Sequence, residues 1–196
     1  MTGDEFCESI EKDPSWCLGI TEPTEITTYI NIMCGEITHL SPLITFTGKN
    51  IEGWSANFYN CKNLKVATGR FAGAVDFSGS GVEKIENLYV EGTNIRLNSA
   101  SFWNCKNLKV ASGTYKGSVS FNHSGVTTIK NLKIKTIHST GEASFVCPIE
   151  YIPKEYRLPG YIFNKKSIEN TAKKDREDTI KTTINKIKSE ANNIEL

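Results

Sequence analysis

The residues best placed to do chemistry are lysines and tyrosines recurring at fixed offsets from an Asn-Leu-x-(Val/Ile) run. Directly after the leucine of that run stands Lys65, Tyr89, Lys109 or Lys133. Two positions before it stands Lys62, Glu86, Lys106 or Lys130. A row of ammonium groups with an interleaved phenol attracts phosphate or carboxylate and offers a ring for stacking. Tyr59 and Trp103 follow Phe58 and Phe102 directly, and strict alternation turns them outward as anchors for a macromolecule. The candidate binding residues are therefore Lys65, Tyr89, Lys109, Lys133, Lys62, Lys106, Lys130, Tyr59 and Trp103. The bland alternatives are a solvated lysine face and aromatics covered by a turn or by the C-terminal helix.

Other chemistries are poorly supplied. His39, His123 and His138 follow no metal-ligand spacing, and there is no C-x-x-C pair. Carboxylates do not recur: Asp76 gives way to Ser120 and Glu83 to Thr127 at the offset of 44. Stacked acids suited to glycoside hydrolysis are therefore missing. No Ser/His/Asp grouping repeats, and no glycine loop has a phosphate-cradling pattern. The expectation is a protein that is not an enzyme and uses no cofactor or metal. With 23 Lys and Arg against 22 Asp and Glu, the chain is not a globally basic nucleic-acid binder, which leaves only a local patch for such a partner. No apolar run approaches the ~20 residues of a membrane span, so no membrane partner is expected. The N-terminus MTGDEFCESIEKD lacks a basic-then-apolar signal pattern, and the expected location is cytoplasmic. Among the 6 cysteines, Cys61 and Cys105 share one repeat position with Ser80 and Ser124. Two units apart, their sulfurs would be about 10 Å from each other, so buried thiols are expected rather than bridges.

The elements that must position these residues come from a duplication. Asn50–Gly69 reads NIEGWSANFYNCKNLKVATG, and Asn94–Gly113 reads NIRLNSASFWNCKNLKVASG, 44 residues later. Extended, the copies span 47–90 and 91–134. A period of this size marks a repeat architecture whose units bury their apolar faces on one another. Each copy holds two smaller units, since Phe58/Cys61 is echoed by Phe77/Ser80 and Phe102/Cys105 by Phe121/Ser124. Alternation places Leu64/Val66, Leu88/Val90, Leu108/Val110 and Leu132/Ile134 inward on one strand. A second strand reads (Ala/Val)-x-Phe at Ala56/Phe58, Val75/Phe77, Ala100/Phe102, Val119/Phe121 and Ala143/Phe145.

The organisation that follows is a cap at 1–25, a solenoid at 26–153, a linker at 154–164 and an amphipathic helix at 165–196. The cap opens on a capping box at Thr2-Gly3-Asp4-Glu5, with Pro14 ending its helix and Trp16, Leu18 and Ile20 covering the first unit. The C-terminal stripe contains Ile168, Ala172, Ile180, Ile184, Ile187, Ala191 and Ile194, spaced 4, 3, 4, 3 from Ile180 onward. Such a seam docks on its own chain, forms a homo-oligomer through Ile180, Ile184, Ile187 and Ile194, or stays exposed as a helix for another partner.

The runs Phe58-x-x-Cys61-x-x-Leu64 and Ala100-Ser-Phe102-x-x-Cys105-x-x-Leu108 resemble the BspA-like class of leucine-rich-repeat proteins over roughly residues 47–147. The resemblance implies a solenoid with one strand per coil, a role in adhesion or protein binding, and no catalytic residues. The expected fold is thus a mainly β, leucine-rich-repeat-like solenoid with a C-terminal α-helix. Its rival is a small right-handed parallel β-helix, which two strand-like runs per unit suit equally well. The expected function is non-catalytic binding of another protein through the outward strand face. Two alternatives stand beside it: an intracellular inhibitor or nucleic-acid-associated factor using the Lys/Tyr column, and a self-assembling structural protein using the C-terminal helix.

Overall fold

The computed structural model describes residues 1–33, 35–135 and 141–192. Between an N-terminal helix, α1 (Gly3–Lys12), and a C-terminal one, α2 (Lys165–Asn192), run short strands. One set is β1 (Thr24–Ile26), β3 (Ile44–Phe46), β5 (Val66–Phe71), β7 (Lys84–Val90), β9 (Val110–Tyr115) and β11 (Thr128–Ile134). The other is β2 (Ile30–Asn31), β4 (Trp54–Asn57), β6 (Ala74–Asp76), β8 (Asn98–Ser101), β10 (Ser118–Ser120), β12 (Ala143–Phe145) and β13 (Tyr161–Phe163). The first set forms a six-stranded sheet and the second a seven-stranded sheet, each in sequence order. The observed strand pairings are parallel, so from β1 to β12 the chain crosses to the other sheet after each strand.

The core is built from residues that repeat. Phe58, Phe77, Phe102, Phe121, Phe145 and Phe163 stack as one ladder, with ring centroids 4.9–5.3 Å apart and planes within 12° of parallel. The (Ala/Val)-x-Phe pattern produces it, because residues two apart share a face and in-register stacking turns one position into a column. Phe46 and Phe71 stack at 4.5 Å on the six-stranded side, and Phe71 meets Phe58 edge-on at 6.5 Å. Beside the long ladder lies a thiol and hydroxyl column. Cys105 Sγ donates to Phe77 O at 3.0 Å and lies 3.6 Å from Ser80 Oγ, while Cys61 Sγ donates to Ile32 O at 2.9 Å. Burial pushes the Cys147 thiol up to about 11 and that of Cys17 to about 12.

The turns repeat as well. Asn60, Gly79, Asn104 and His123 all adopt left-handed backbone, with φ of 61°, 66°, 60° and 58°. Asn60 N donates to Ser78 O, Gly79 N to Trp103 O, Asn104 N to Asn122 O and His123 N to Val146 O. Glycine holds this conformation without a Cβ penalty, and asparagine and histidine are among the side chains that tolerate it best, which fits the exchange of Gly79 for His123 across the offset of 44.

Both ends are covered. In α1 the capping box is complete, with Glu5 N donating to Thr2 Oγ1 and Thr2 N to Glu5 Oε2. Phe6 packs edge-on against Trp16 and Phe46, each at 5.8 Å. Leu18, expected to help cover the first unit, is 64% exposed, because the short 3-10 turn Trp16–Gly19 turns it away. At the other end, residues 154–164 are more than a linker. They hold a 3-10 turn, Lys154–Tyr156, and β13, which extends the seven-stranded sheet.

Helix α2 docks by its first turns. Asn164 Oδ1 caps Ser167 N at 2.8 Å, and Ser167 Oγ donates to Cys147 O at 3.2 Å. Thr171 Oγ1 accepts from Ile152 N at 3.0 Å, and Arg157 grips Asp175 through both guanidinium nitrogens at 2.8 and 3.1 Å. At about 100° per residue, Ile180, Ile184 and Ile187 lie on the opposite side of the helix from Ser167 and Thr171. All three isoleucines are exposed. Ile168 and Ala172 sit about a quarter to a third of a turn off that stripe, so the expected single seam is split. Ile194 falls outside the described residues. No described helix is long and apolar enough to cross a membrane.

Candidate functional site

Register decides which outward residues are neighbours. Across the six-stranded sheet, Arg70 pairs with Tyr89, Tyr89 with Thr114 and Thr114 with Lys133. The expected column of Lys65, Tyr89, Lys109 and Lys133 is therefore not one row. Tyr89 and Lys133 share it, with Thr114 between them, whereas Lys65 and Lys109 lie in the turns leading into β5 and β9. The reason is local. Asn63-Leu64-Lys65 closes a turn, with Leu64 N donating to Cys61 O, while Asn87-Leu88-Tyr89-Val90 is the second half of β7. Leu64 and Leu108 still reach the core from those turns, but Val66 is half-buried and Val110 is 37% exposed, against the expected inward pointing.

The second expected row divides in the same way. Lys62 Nζ donates to Gly79 O, and Lys106 Nζ to His123 O at 2.7 Å, so each staples its own turn to the next one. Lys130 and Glu86 are exposed on β11 and β7. Lys65 pairs with Glu83 at 2.9 Å. Tyr59 and Trp103 are outward as expected, 39% and 45% exposed, on the turns leaving β4 and β8. Trp103 lies edge-on to His123 at 6.1 Å. These two aromatics thus belong to the seven-stranded side and not to the row of Tyr89.

A cleft of about 310 Å³ opens on the six-stranded sheet between Tyr89 and Lys133, two of the expected binding residues. Its floor is Ser112, Gly113 and Thr114 of β9, and its walls are Asn87 and Tyr89 of β7 and Asn131 and Lys133 of β11. The walls occupy equivalent positions in the two copies, two strands apart, which is about 10 Å. A line of left-handed residues bends the sheet here: φ is 103° at Gly69, 49° at Asn87, 103° at Gly113 and 54° at Asn131. The pairing register shifts at the same place, between Ile129 and Leu132 and between Ala67 and Gly69, so β7 and β11 each carry one extra residue. Ser112 Oγ donates to Ile85 O at 3.1 Å, and Tyr115 OH to Ser112 O at 2.8 Å, which fixes the floor. Arg70 lies over the Tyr89 ring at 5.0 Å and is itself held by Glu91. The lining therefore offers hydroxyls, amides, one aromatic ring and one ammonium group. These groups can hold a polar or anionic ligand, and the lining contains no carboxylate, thiol or imidazole for proton transfer or attack.

Arg70, Ser112 and Thr114 were missed by sequence reading. The signal that could have found them is a glycine inside each of the strand-like runs Val66-Ala-Thr-Gly-Arg-Phe71 and Val110-Ala-Ser-Gly-Thr-Tyr115, since such a glycine marks a bulge. Among the described residues, no group of three His, Cys, Asp or Glu side chains could hold a metal ion. His138 lies outside the described residues. The chain matches no protein-family model, no curated protein and no solved structure.

Proposed function

We propose that the chain is a solenoid that captures another protein, without catalysis, through the outer face of its six-stranded sheet. The observation that carries this reading is the row Arg70, Tyr89, Thr114, Lys133 beside a cleft rich in hydrogen-bonding groups. A rigid sheet presenting an exposed tyrosine between cations is the kind of surface on which anchors cluster. The Phe-x-x-Cys-x-x-Leu units support kinship with leucine-rich repeats. The passage of successive strands between two sheets favours a β-helix form of solenoid over a coil with one strand.

The test is capture from a cell lysate on the tagged full chain, with nuclease added. Thr114→Arg places at the cleft the residue that the first copy carries as Arg70, and so fills it. A protein recovered by wild type and by Trp103→Ala but lost by Thr114→Arg and Tyr89→Ala is the expected result. Retention by the cleft variants, or recovery of nothing, rejects the reading.

One observation favours a second reading, self-association, namely the exposed stripe Ile180, Ile184, Ile187. An oligomeric state that is unchanged when those three residues become serine would dismiss it.

A further inference from the structure

The offset of 44 that relates the two copies also relates their outward charges, and there the copies part. In the first copy Lys65, Arg70 and Lys84 are matched by Glu83, Glu86 and the residue just after the copy, Glu91, with Lys65–Glu83 and Arg70–Glu91 in ion pairs. At the offset of 44 the three acids are replaced by Thr127, Lys130 and, just after the second copy, Lys135, while Ala72 becomes Lys116 and Tyr89 becomes Lys133. Lys116, Lys130, Lys133 and Lys135 are all exposed, and none joins an ion pair among the described residues. The same backbone carries acids one copy earlier, so folding does not require this run of cations.

The lysines are ordered along the sheet. Lys130, Lys133 and Lys135 follow β11 over about 13 Å, at about 3.3 Å per regular step once the extra residue of the bulge is discounted. Lys116 adjoins Lys135, since Lys135 N donates to Tyr115 O at 2.7 Å. The patch is bounded by Glu86 and Glu91 on the β7 side and by Glu150 near the start of β11, where Glu150 N donates to Thr127 O. A long polyanion running past would meet those carboxylates. A short anionic segment would not. An extended peptide sets alternate side chains about 7 Å apart, which matches the step from Lys133 to Lys135.

We propose that the outer face of β9 and β11 docks a short acidic segment of a protein partner. Its carboxylates lie against Lys116, Lys130, Lys133 and Lys135, and Thr114 and Asn131 supply hydrogen bonds at the cleft. The proposal rests on the reading that this sheet face binds a protein, and adds the chemistry of the partner and its footprint. Lysine suits the role because its compact charge on a flexible stem follows carboxylates that vary in position.

The test uses residues the fold already accepts. Lys130→Glu with Lys133→Tyr and Lys135→Glu gives the second copy the first copy's own side chains. A second variant, Lys130→Gln with Lys133→Gln and Lys135→Gln, removes the charge alone. Anisotropy of a labelled oligoglutamate peptide is measured on both, with oligothymidylate of equal charge as the competing polyanion. Wild type binds oligoglutamate, and both variants bind it at least about tenfold more weakly. Binding by wild type also falls as salt rises. Equal binding by the variants, or tighter binding of oligothymidylate, overturns the proposal. In the lysate experiment, a protein kept by the triple variants but lost by Thr114→Arg overturns the acidic footprint while leaving the face as a binding site. Recovery of nothing by wild type fails the parent reading instead.

Discussion

Replacing Phe102 with leucine keeps most of the buried volume but removes a ring held on both sides. Phe102 is fully buried, 5.2 Å from Phe77 and 5.3 Å from Phe121, with planes 12° and 5° from parallel, and Tyr115 meets it edge-on at 6.4 Å. An aromatic pair contributes about 0.5–1.5 kcal/mol beyond its buried area, so losing two stacked partners costs about 1–3 kcal/mol. Phe163, at the end of the ladder, has one stacked partner, Phe145 at 4.9 Å, and is half-buried. Phe163→Leu should cost about half as much, roughly 0.5–1.5 kcal/mol. Urea unfolding followed by circular dichroism separates the two. With a slope of about 2 kcal/mol per molar urea, Phe102→Leu should lower the midpoint by about 1 M at an unchanged slope. A Phe163→Leu loss equal to or larger than that of Phe102→Leu would refute the argument that stacking depth sets the cost. So would a Phe102→Leu loss under about 0.5 kcal/mol.

Thr68 Oγ1 is buried without a partner, while its counterpart Ser112 bonds to Ile85 O, so Thr68→Val should stabilise by about 1 kcal/mol in thermal melts. Asn131 holds φ at 54°, so Asn131→Ala should cost about 1 kcal/mol and Asn131→Gly close to none by the same measurement. The raised pKa values of the buried Cys17 and Cys147 thiols mean that the folded state holds their protons longer. Their contribution to stability is intact below the ordinary thiol range and is lost as pH climbs from about 9 toward 11 and 12, at about 1.4 kcal/mol per pH unit and thiol. Cys147→Ser, which installs the residue found at Ser80 and Ser124, should make the alkaline fall of the urea midpoint shallower. Arg157→Ala releases Asp175 and one anchor of α2, so limited proteolysis should cut within 165–190 faster than in wild type.

The parts of the fold legible in the sequence were those written as columns. The (Ala/Val)-x-Phe runs foretold the stacked phenylalanines, and the shared position of Cys61, Ser80, Cys105 and Ser124 foretold small residues packed together. The capping box at Thr2 named the start of α1. What misled was the near identity of two short runs. Asn63-Leu64-Lys65-Val66 and Asn87-Leu88-Tyr89-Val90 read alike, yet one ends a turn and the other ends a strand. A four-residue pattern with an inward leucine fits both, because a turn can also drop a leucine into the core. Their true offset appears only when the bulges at Gly69 and Asn87 are counted, and backbone of positive φ leaves a weak trace when its residue is asparagine. The cleft was hidden for the same reason, as it exists only once β9 lies between β7 and β11. The C-terminal stripe was half legible. Its spacing gave the exposed isoleucines, but the face that docks is carried by Ser167, Thr171 and Asp175, which no hydrophobic pattern marks.

Each interior ring of the phenylalanine ladder stacks on the ring before it and the ring after it, and the turns are joined in the same neighbour-to-neighbour way, so among the described residues no contact in the middle of the molecule records how long it is. Among the described residues, the repeat is stopped where Phe6 and Trp16 close one end and Ser167 and Thr171 close the other. Duplicating one more block of 44 residues between those closures would cost no existing contact, so the gene for such a chain can grow or shrink in whole blocks while its two endings stay unchanged.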